Sequence, residues 1–92
     1  MIIGFRHKGL EEFYRTESLR GIQPAHTAKL ARILAALDAA ATAEELNLPA
    51  FRLHLLKGSL SGYWSIWVNG NWRVIFRFTG PNIELVDYLD YH

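Results

Sequence analysis

The chain has 92 residues, half of them hydrophobic and 13% aromatic, with a formal net charge of +1. This length holds one domain, which excludes an eight-stranded α/β barrel or a full dinucleotide-binding fold, and the hydrophobic fraction excludes a disordered chain. Cysteine is absent, so disulfides, zinc–thiolate sites and cysteine nucleophiles are excluded, and a reducing cytoplasmic setting is expected.

The start, MIIGFRHKG, places its basic residues after its apolar ones, unlike a signal peptide. Residues 2–6 read as a short strand. Leu10, Phe13 and Tyr14, at i, i+3 and i+4, predict a helix over residues 9–17. Pro24 suits the first position of a second helix. Leu30, Ile33, Leu34 and Leu37 form its apolar stripe, and Lys29 and Arg32 face water or a partner. The longest apolar run, residues 33–43, is broken by Asp38 and is shorter than the roughly 18 residues of a membrane span. Thr42 and Glu45 have capping-box spacing, which predicts one turn over 43–46 before Pro49.

From Phe51 the period changes to two. Phe51, Leu53 and Leu55 alternate with Arg52, His54 and Leu56 on a strand, and a turn runs from Lys57-Gly58 to Gly62. Strands over 63–68 and 72–78 flank Asn69-Gly70-Asn71, and a last strand covers 83–89. Helices followed by closely spaced strands give an α+β domain over residues 1–92, with an antiparallel sheet.

The central hairpin has two candidate registers. A two-residue Asn69-Gly70 turn pairs Trp67 with Trp72. A three-residue loop pairs Val68 with Trp72, Ile66 with Val74 and Trp64 with Phe76. The second gathers Trp64, Ile66, Val68, Trp72, Val74, Phe76 and Phe78 on one apolar face, and a buried face sets register. The opposite face then carries Tyr63, Ser65, Trp67, Arg73, Ile75 and Arg77, with Tyr63 and Trp67 exposed.

Charge supports a function for that face. Residues 1–46 balance six basic against six acidic side chains. Residues 47–83 carry Arg52, Lys57, Arg73 and Arg77 with no carboxylate, alongside Tyr63, Trp64, Trp67 and Trp72. Cations for phosphates and flat rings for bases suit nucleic acid. A tryptophan-rich core with solvated arginines explains the same composition.

The chemistry narrows by residue type. His7 and His26, near helix starts, read as surface residues. Strand alternation sets Asp87 opposite Glu84 and Asp90, so these carboxylates do not converge, and no ligand spacing supports a metal. No nucleophile elbow or phosphate-binding glycine loop occurs. Histidine, lysine, arginine, tyrosine and aspartate remain. They suffice for metal-free RNA cleavage, in which the 2′-hydroxyl attacks, a base and an acid move protons, and cations stabilise the phosphorane. Histidine, with an unperturbed pKa of about 6.5, serves either proton role.

Five blocks occur in order: Phe5-Arg6-His7-Lys8-Gly9-Leu10, Leu53-His54-Leu55-Leu56-Lys57-Gly58, Gly62-Tyr63-Trp64-Ser65-Ile66, Asn71-Trp72-Arg73-Val74-Ile75-Phe76 and Asp87-Tyr88-Leu89-Asp90-Tyr91-His92. Together they resemble the HigB type of plasmid-maintenance killer toxin, in the RelE/ParE superfamily, over essentially the whole chain. The resemblance implies a RelE-like microbial RNase fold, with an N-terminal strand and two helices packed on a curved antiparallel sheet. It implies a type II toxin that needs no cofactor and cuts mRNA in the ribosomal A site, with ribosome and mRNA as partners and a HigA-like helix-turn-helix antitoxin. No membrane partner is expected.

By the same resemblance His54, Lys57, Arg73, Asp90, Tyr91 and His92 are the expected catalytic residues. His92 serves as base or acid, and His54 as its complement or as a substrate-orienting group. Lys57 and Arg73 stabilise the phosphorane. Tyr91 stacks on a base or donates a hydrogen bond, and Asp90 orients a histidine or a cation. The competing explanations are a satisfied strand histidine for His54, a strand-end hydrogen bond for Asp90 and simple packing for Tyr91. Arg52, Tyr63, Trp67 and Arg77 are the expected RNA contacts. The carboxylate expected on His92 favours its imidazolium, so a C-terminal fusion should impair cleavage more than an N-terminal one. Two alternatives are a ParE-like gyrase inhibitor of the same fold and an inactive RNA-binding relative.

Overall fold

The computed structural model describes residues 1–91. Helix α1 is Lys8–Thr16 and helix α2 is Thr27–Ala39. Strands β1 His54–Leu55, β2 Trp64–Asn69, β3 Trp72–Thr79 and β4 Asn82–Asp90 form an antiparallel sheet in the order β1-β2-β3-β4. Both helices cover one sheet face. Leu10 and Phe13 of α1 and Leu30, Ile33, Leu34 and Leu37 of α2 join Ile66, Val74, Phe76, Ile83 and Val86 in one core. Among the described residues, no helix is long and apolar enough to cross a membrane.

The start of the chain rides along β4 in parallel. Ile2 lies opposite Ile83 and Phe5 opposite Val86, with Ile3 N–H donating to Ile83 O and Arg6 N–H to Val86 O, both at 2.8 Å. This is the expected first strand in two pieces. Leu85, between the pairing points, has a left-handed φ of 55° and breaks the ladder. Asp38 ties this edge to the helices, since its carboxylate accepts from Ile2 N–H at 2.9 Å and from the Tyr14 hydroxyl at 2.6 Å.

Helix α1 is capped by His7, whose Nδ1 accepts from Leu10 N–H at 2.9 Å. Pro24–His26 forms a 3₁₀ turn, and α2 starts only after it. The capping box is partial. Glu45 accepts from Ala41 N–H at 3.1 Å and lies 3.4 Å from the Thr42 hydroxyl, over a 3₁₀ turn at Ala43–Leu46. His26 corrects the expectation of a surface histidine. It is 5% exposed and meets Tyr88 Oη through Nδ1 at 2.6 Å.

The hairpin register follows the apolar face, with Trp64 opposite Phe76, Ile66 opposite Val74 and Trp67 opposite Arg73. The loop is shorter than expected. Asn69 pairs with Trp72 across Gly70-Asn71, and a bulge absorbs Val68. One extra residue reconciles a two-residue turn with the register that buries the core face. Gly70 has a φ of +54°, a conformation that glycine supplies without steric cost.

A second bulge overturns the expected parity of β4. Arg77 pairs with Glu84 and Ile75 with Asp87, with a register shift between them. Directly paired residues share a face, so Glu84 and Asp87 lie on the face away from the helices. Asp90 pairs with Trp72, on the core side. The extra residue at Leu85 inverts the alternation. Among the described residues no group of three or more histidines or carboxylates could hold a metal ion.

Candidate active site

The sheet's outer face is built from β2 and β3. Ser65, Trp67, Arg73, Ile75 and Arg77 share it by register, and β1 adds His54 opposite Ser65. Strand β1 is shorter than expected because Pro49–Phe51 forms a 3₁₀ turn and Arg52 takes a left-handed φ of 46°. That reversal aims the Arg52 carbonyl at the next strand residue but one, and His54 Nδ1 lies 2.9 Å from it. A carbonyl can only accept, so Nδ1 carries the proton. In the neutral ring Nε2 then holds the lone pair.

A hollow of about 320 Å³ opens beside His54, lined by His54, Leu55, Leu56, Lys57, Ser65, Arg73 and Tyr91. Lys57 enters at the start of the 3₁₀ turn Gly58–Leu60. Arg73 is braced at the hairpin, its Nη1 donating to Gly70 O at 3.0 Å and to Trp72 O at 3.1 Å. Tyr91 is placed by its N–H, which donates to Asn71 O at 2.7 Å. Four of the six expected catalytic residues therefore converge. Asp90 does not line the hollow, because its register position opposite Trp72 falls on the other face. His92 lies outside the described residues.

The four expected RNA contacts form two pairs flanking the hollow. The Arg52 guanidinium sits 4.1 Å from the Trp67 ring centroid. The Arg77 guanidinium is 5.7 Å from the Tyr63 ring, and Arg6 Nη1 donates to the Tyr63 hydroxyl at 3.4 Å. The two aromatics are half-buried and not exposed as expected, because cations cover them. Lys29 is a further member that its place on α2 concealed, with Nζ 4.9 Å from the Trp67 ring and donating to Ala50 O at 2.8 Å. Burial, and then the charges of Arg32 and Arg52, push its ammonium below the usual lysine range.

Charge on this face is polarised. Arg52 and Lys57 flank β1 and Arg73 and Arg77 lie on β3, whereas β4 at the far edge contributes Glu84 and Asp87. An anionic chain is drawn to the β1 side. Ser65 is 4% exposed and lines the hollow. It was visible in the sequence only as a small polar residue between large ones, and its size is what leaves the space open.

The family model described as a RelE-like toxin of the type II toxin–antitoxin system HigB matches residues 3–92. Endoribonuclease HigB of Proteus vulgaris is 38% identical over 92 residues, covering 100% of both chains. Toxin HigB-1 of Vibrio cholerae is 36% identical over 94 residues, covering 100% of this chain and 98% of that one. Among solved structures, the YoeB-YefM complex from Staphylococcus aureus contains a similar chain with a TM-score of 0.65 at 18% identity, covering 100% of this chain and 95% of that one. The YoeB/ParE toxin from Agrobacterium tumefaciens gives 0.64 at 16% identity, covering 99% and 98%. These structures share the architecture of two helices on a four-stranded antiparallel sheet, the RelE fold. With the family model and both relatives spanning its length, the chain belongs to the HigB family of RelE-like toxins of type II toxin–antitoxin systems.

Proposed function

We propose that this toxin is a metal-independent endoribonuclease that cuts translated mRNA in the ribosomal A site. The observation that carries the reading is the hollow that gathers His54, Lys57, Arg73 and Tyr91, with the His54 Nδ1 proton committed to the Arg52 carbonyl. Neutral His54 presents Nε2 as a proton acceptor. It removes the 2′-hydroxyl proton as that oxygen attacks phosphorus. The P–O5′ bond breaks, leaving a 2′,3′-cyclic phosphate, and an acid delivers a proton to the departing 5′-oxygen. His92, a catalytic residue by family resemblance, is left the acid role once His54 is the base. Lys57 and Arg73 stabilise the added phosphorane charge, and Tyr91 packs against or hydrogen-bonds the substrate.

Arg52, Tyr63, Trp67 and Arg77 make the RNA-facing band on either side of the hollow. Asp90 acts, in this reading, at the strand end and not inside the hollow. The family membership, and a similar fold in a complex of YoeB with YefM, support an antitoxin partner, here a HigA-like helix-turn-helix protein. The relative named as an endoribonuclease supports the activity.

Mapping of 5′ ends on a reporter mRNA after brief induction, with and without translation of that message, tests the reading. Cuts within codons on the translated message alone are the expected result. Arrested growth without cuts would replace the nuclease by a ParE-like gyrase inhibitor. Equal cutting of untranslated message would remove the ribosome from the mechanism.

A further inference from the structure

One side chain touches both arms of the candidate active site. The Trp67 indole carries the Arg52 guanidinium 4.1 Å from its centroid, close for a cation–π contact. The carbonyl of that same Arg52 accepts the His54 Nδ1 proton at 2.9 Å. Arg52 has a φ of 46°, a conformation that non-glycine residues adopt at a cost, so surrounding contacts must hold it. Lys29 adds to the clamp, with Nζ 4.9 Å from the same ring and 2.8 Å from Ala50 O. At the other edge the Trp67 Nε1–H donates to Gly70 O at 2.9 Å. That oxygen also receives Arg73 Nη1 at 3.0 Å. Trp67 and Arg73 are direct cross-strand partners, so the shared acceptor closes a small rigid unit at the hairpin.

We propose that Trp67 is a positioning residue that fixes His54, through Arg52, and Arg73, through the Gly70 carbonyl, relative to one another. Its catalytic consequence rests on the nuclease reading above, whereas the His54 ring state that it dictates does not. A proton acceptor and a phosphate-binding cation must meet the same phosphodiester, and displacement of either by about 1 Å can cost on the order of 100-fold in rate.

The test is nitrogen-15 NMR of the His54 imidazole in the purified toxin, which reports which ring nitrogen bears the proton, paired with cleavage kinetics on programmed ribosomes. Wild-type His54 is expected as the Nδ1–H tautomer when neutral. Trp67→Leu and Arg52→Gly should both move it toward Nε2–H. Glycine adopts the left-handed φ at position 52 without strain but is not held there, so Arg52→Gly removes the stack and frees the carbonyl that His54 faces, with no steric clash added. In both variants kcat should fall on the order of 10- to 100-fold, with a smaller change in KM. Trp67→Phe keeps a ring under Arg52 and loses the Nε1–H, so it should hold the His54 tautomer and lose rate through Arg73.

A folded Trp67→Leu or Arg52→Gly toxin that retains the Nδ1–H tautomer overturns the proposal at any activity. An effect on KM alone does the same and leaves Trp67 as an RNA contact. A lost tautomer in both variants, together with a His54→Ala toxin that still cuts RNA, would uphold the positioning while overturning the assignment of the base.

Discussion

His54 Nδ1 lies 2.9 Å from the carbonyl oxygen of Arg52, two residues before it. The contact chooses a tautomer, because the carbonyl has no proton to give. It also turns a histidine on a two-residue edge strand into a group with one defined direction for proton acceptance. His54→Ala should reduce cleavage by about 10²- to 10⁴-fold, the usual contribution of a general acid or base. Ribosome binding should persist, since the cations of the outer face remain. Single-turnover cleavage beside ribosome co-sedimentation checks both halves.

Arg73 spends both Nη1 protons on the carbonyls of Gly70 and Trp72. Nη2 and Nε of the planar fork are left for phosphate oxygens. A lysine has no fork and cannot be braced in this way. Arg73→Lys should therefore resemble Arg73→Ala, with a fall of about 10²- to 10³-fold, although charge is kept. Substantial recovery by lysine would show that Arg73 acts only as a point charge.

The apolar face of the central hairpin was legible in the sequence because seven large residues recur with period two, and burying them fixes register. The two bulges were not. Val68 and Leu85 look like ordinary strand residues, and a bulge is decided by the partner strand across the sheet. The missed bulge at Leu85 brings Glu84 onto the face of Asp87 and away from that of Asp90, whereas Asp87 and Asp90 lie on opposite faces as expected. His26 was misplaced for a related reason, since its burial depends on Tyr88, 62 residues away. Of the expected site, His54, Lys57, Arg73 and Tyr91 came together in one hollow. The cations over Trp67 arrive from α2 and from a left-handed Arg52, which no local pattern announces.

Ser65 gives the hollow its depth. Its residue is 4% exposed, between His54 on β1 and Ile75 on β3. Ser65→Leu should fill the space that a sugar–phosphate would enter and abolish cleavage, with the fold intact. Ser65→Ala should stay close to wild type. Cleavage assays with circular dichroism separate blocking from unfolding, and an active Ser65→Leu toxin would place the reaction elsewhere on the face.

Gly9 lies in the first turn of α1, where alanine would ordinarily stabilise by up to about 1 kcal/mol. Here a Cβ would stand 2.8 Å from Gly21 Cα and 3.3 Å from Gly21 O. These are backbone atoms and cannot swing aside. The sign should reverse, with Gly9→Ala losing about 1–3 kcal/mol through overpacking. Urea denaturation gives the difference directly, and a raised midpoint would show that the Gly21 segment shifts freely.

Buried His26 makes stability depend on pH. Tyr88 Oη is 3.4 Å from the Gln23 N–H and 2.6 Å from His26 Nδ1. Tyr88 Oη accepts from Gln23 N–H, and where His26 is neutral with a bare Nδ1 the one hydroxyl proton is donated to it. Burial lowers the His26 pKa and raises that of Tyr88, which agrees with that polarity. The folded protein therefore resists a proton that the unfolded chain accepts near an unperturbed pKa of about 6.5. The stability tied to neutral His26 is present above that pH and is lost as pH falls below it, because the unfolded state then binds more protons. Between about pH 7 and pH 5, the urea midpoint of wild type should drop more than that of His26→Gln. Every other ionisable group is common to both proteins, so the difference isolates this ring. A wild-type midpoint that fell less than the variant's would mean that the fold holds His26 as a cation, with Tyr88 accepting from Nδ1.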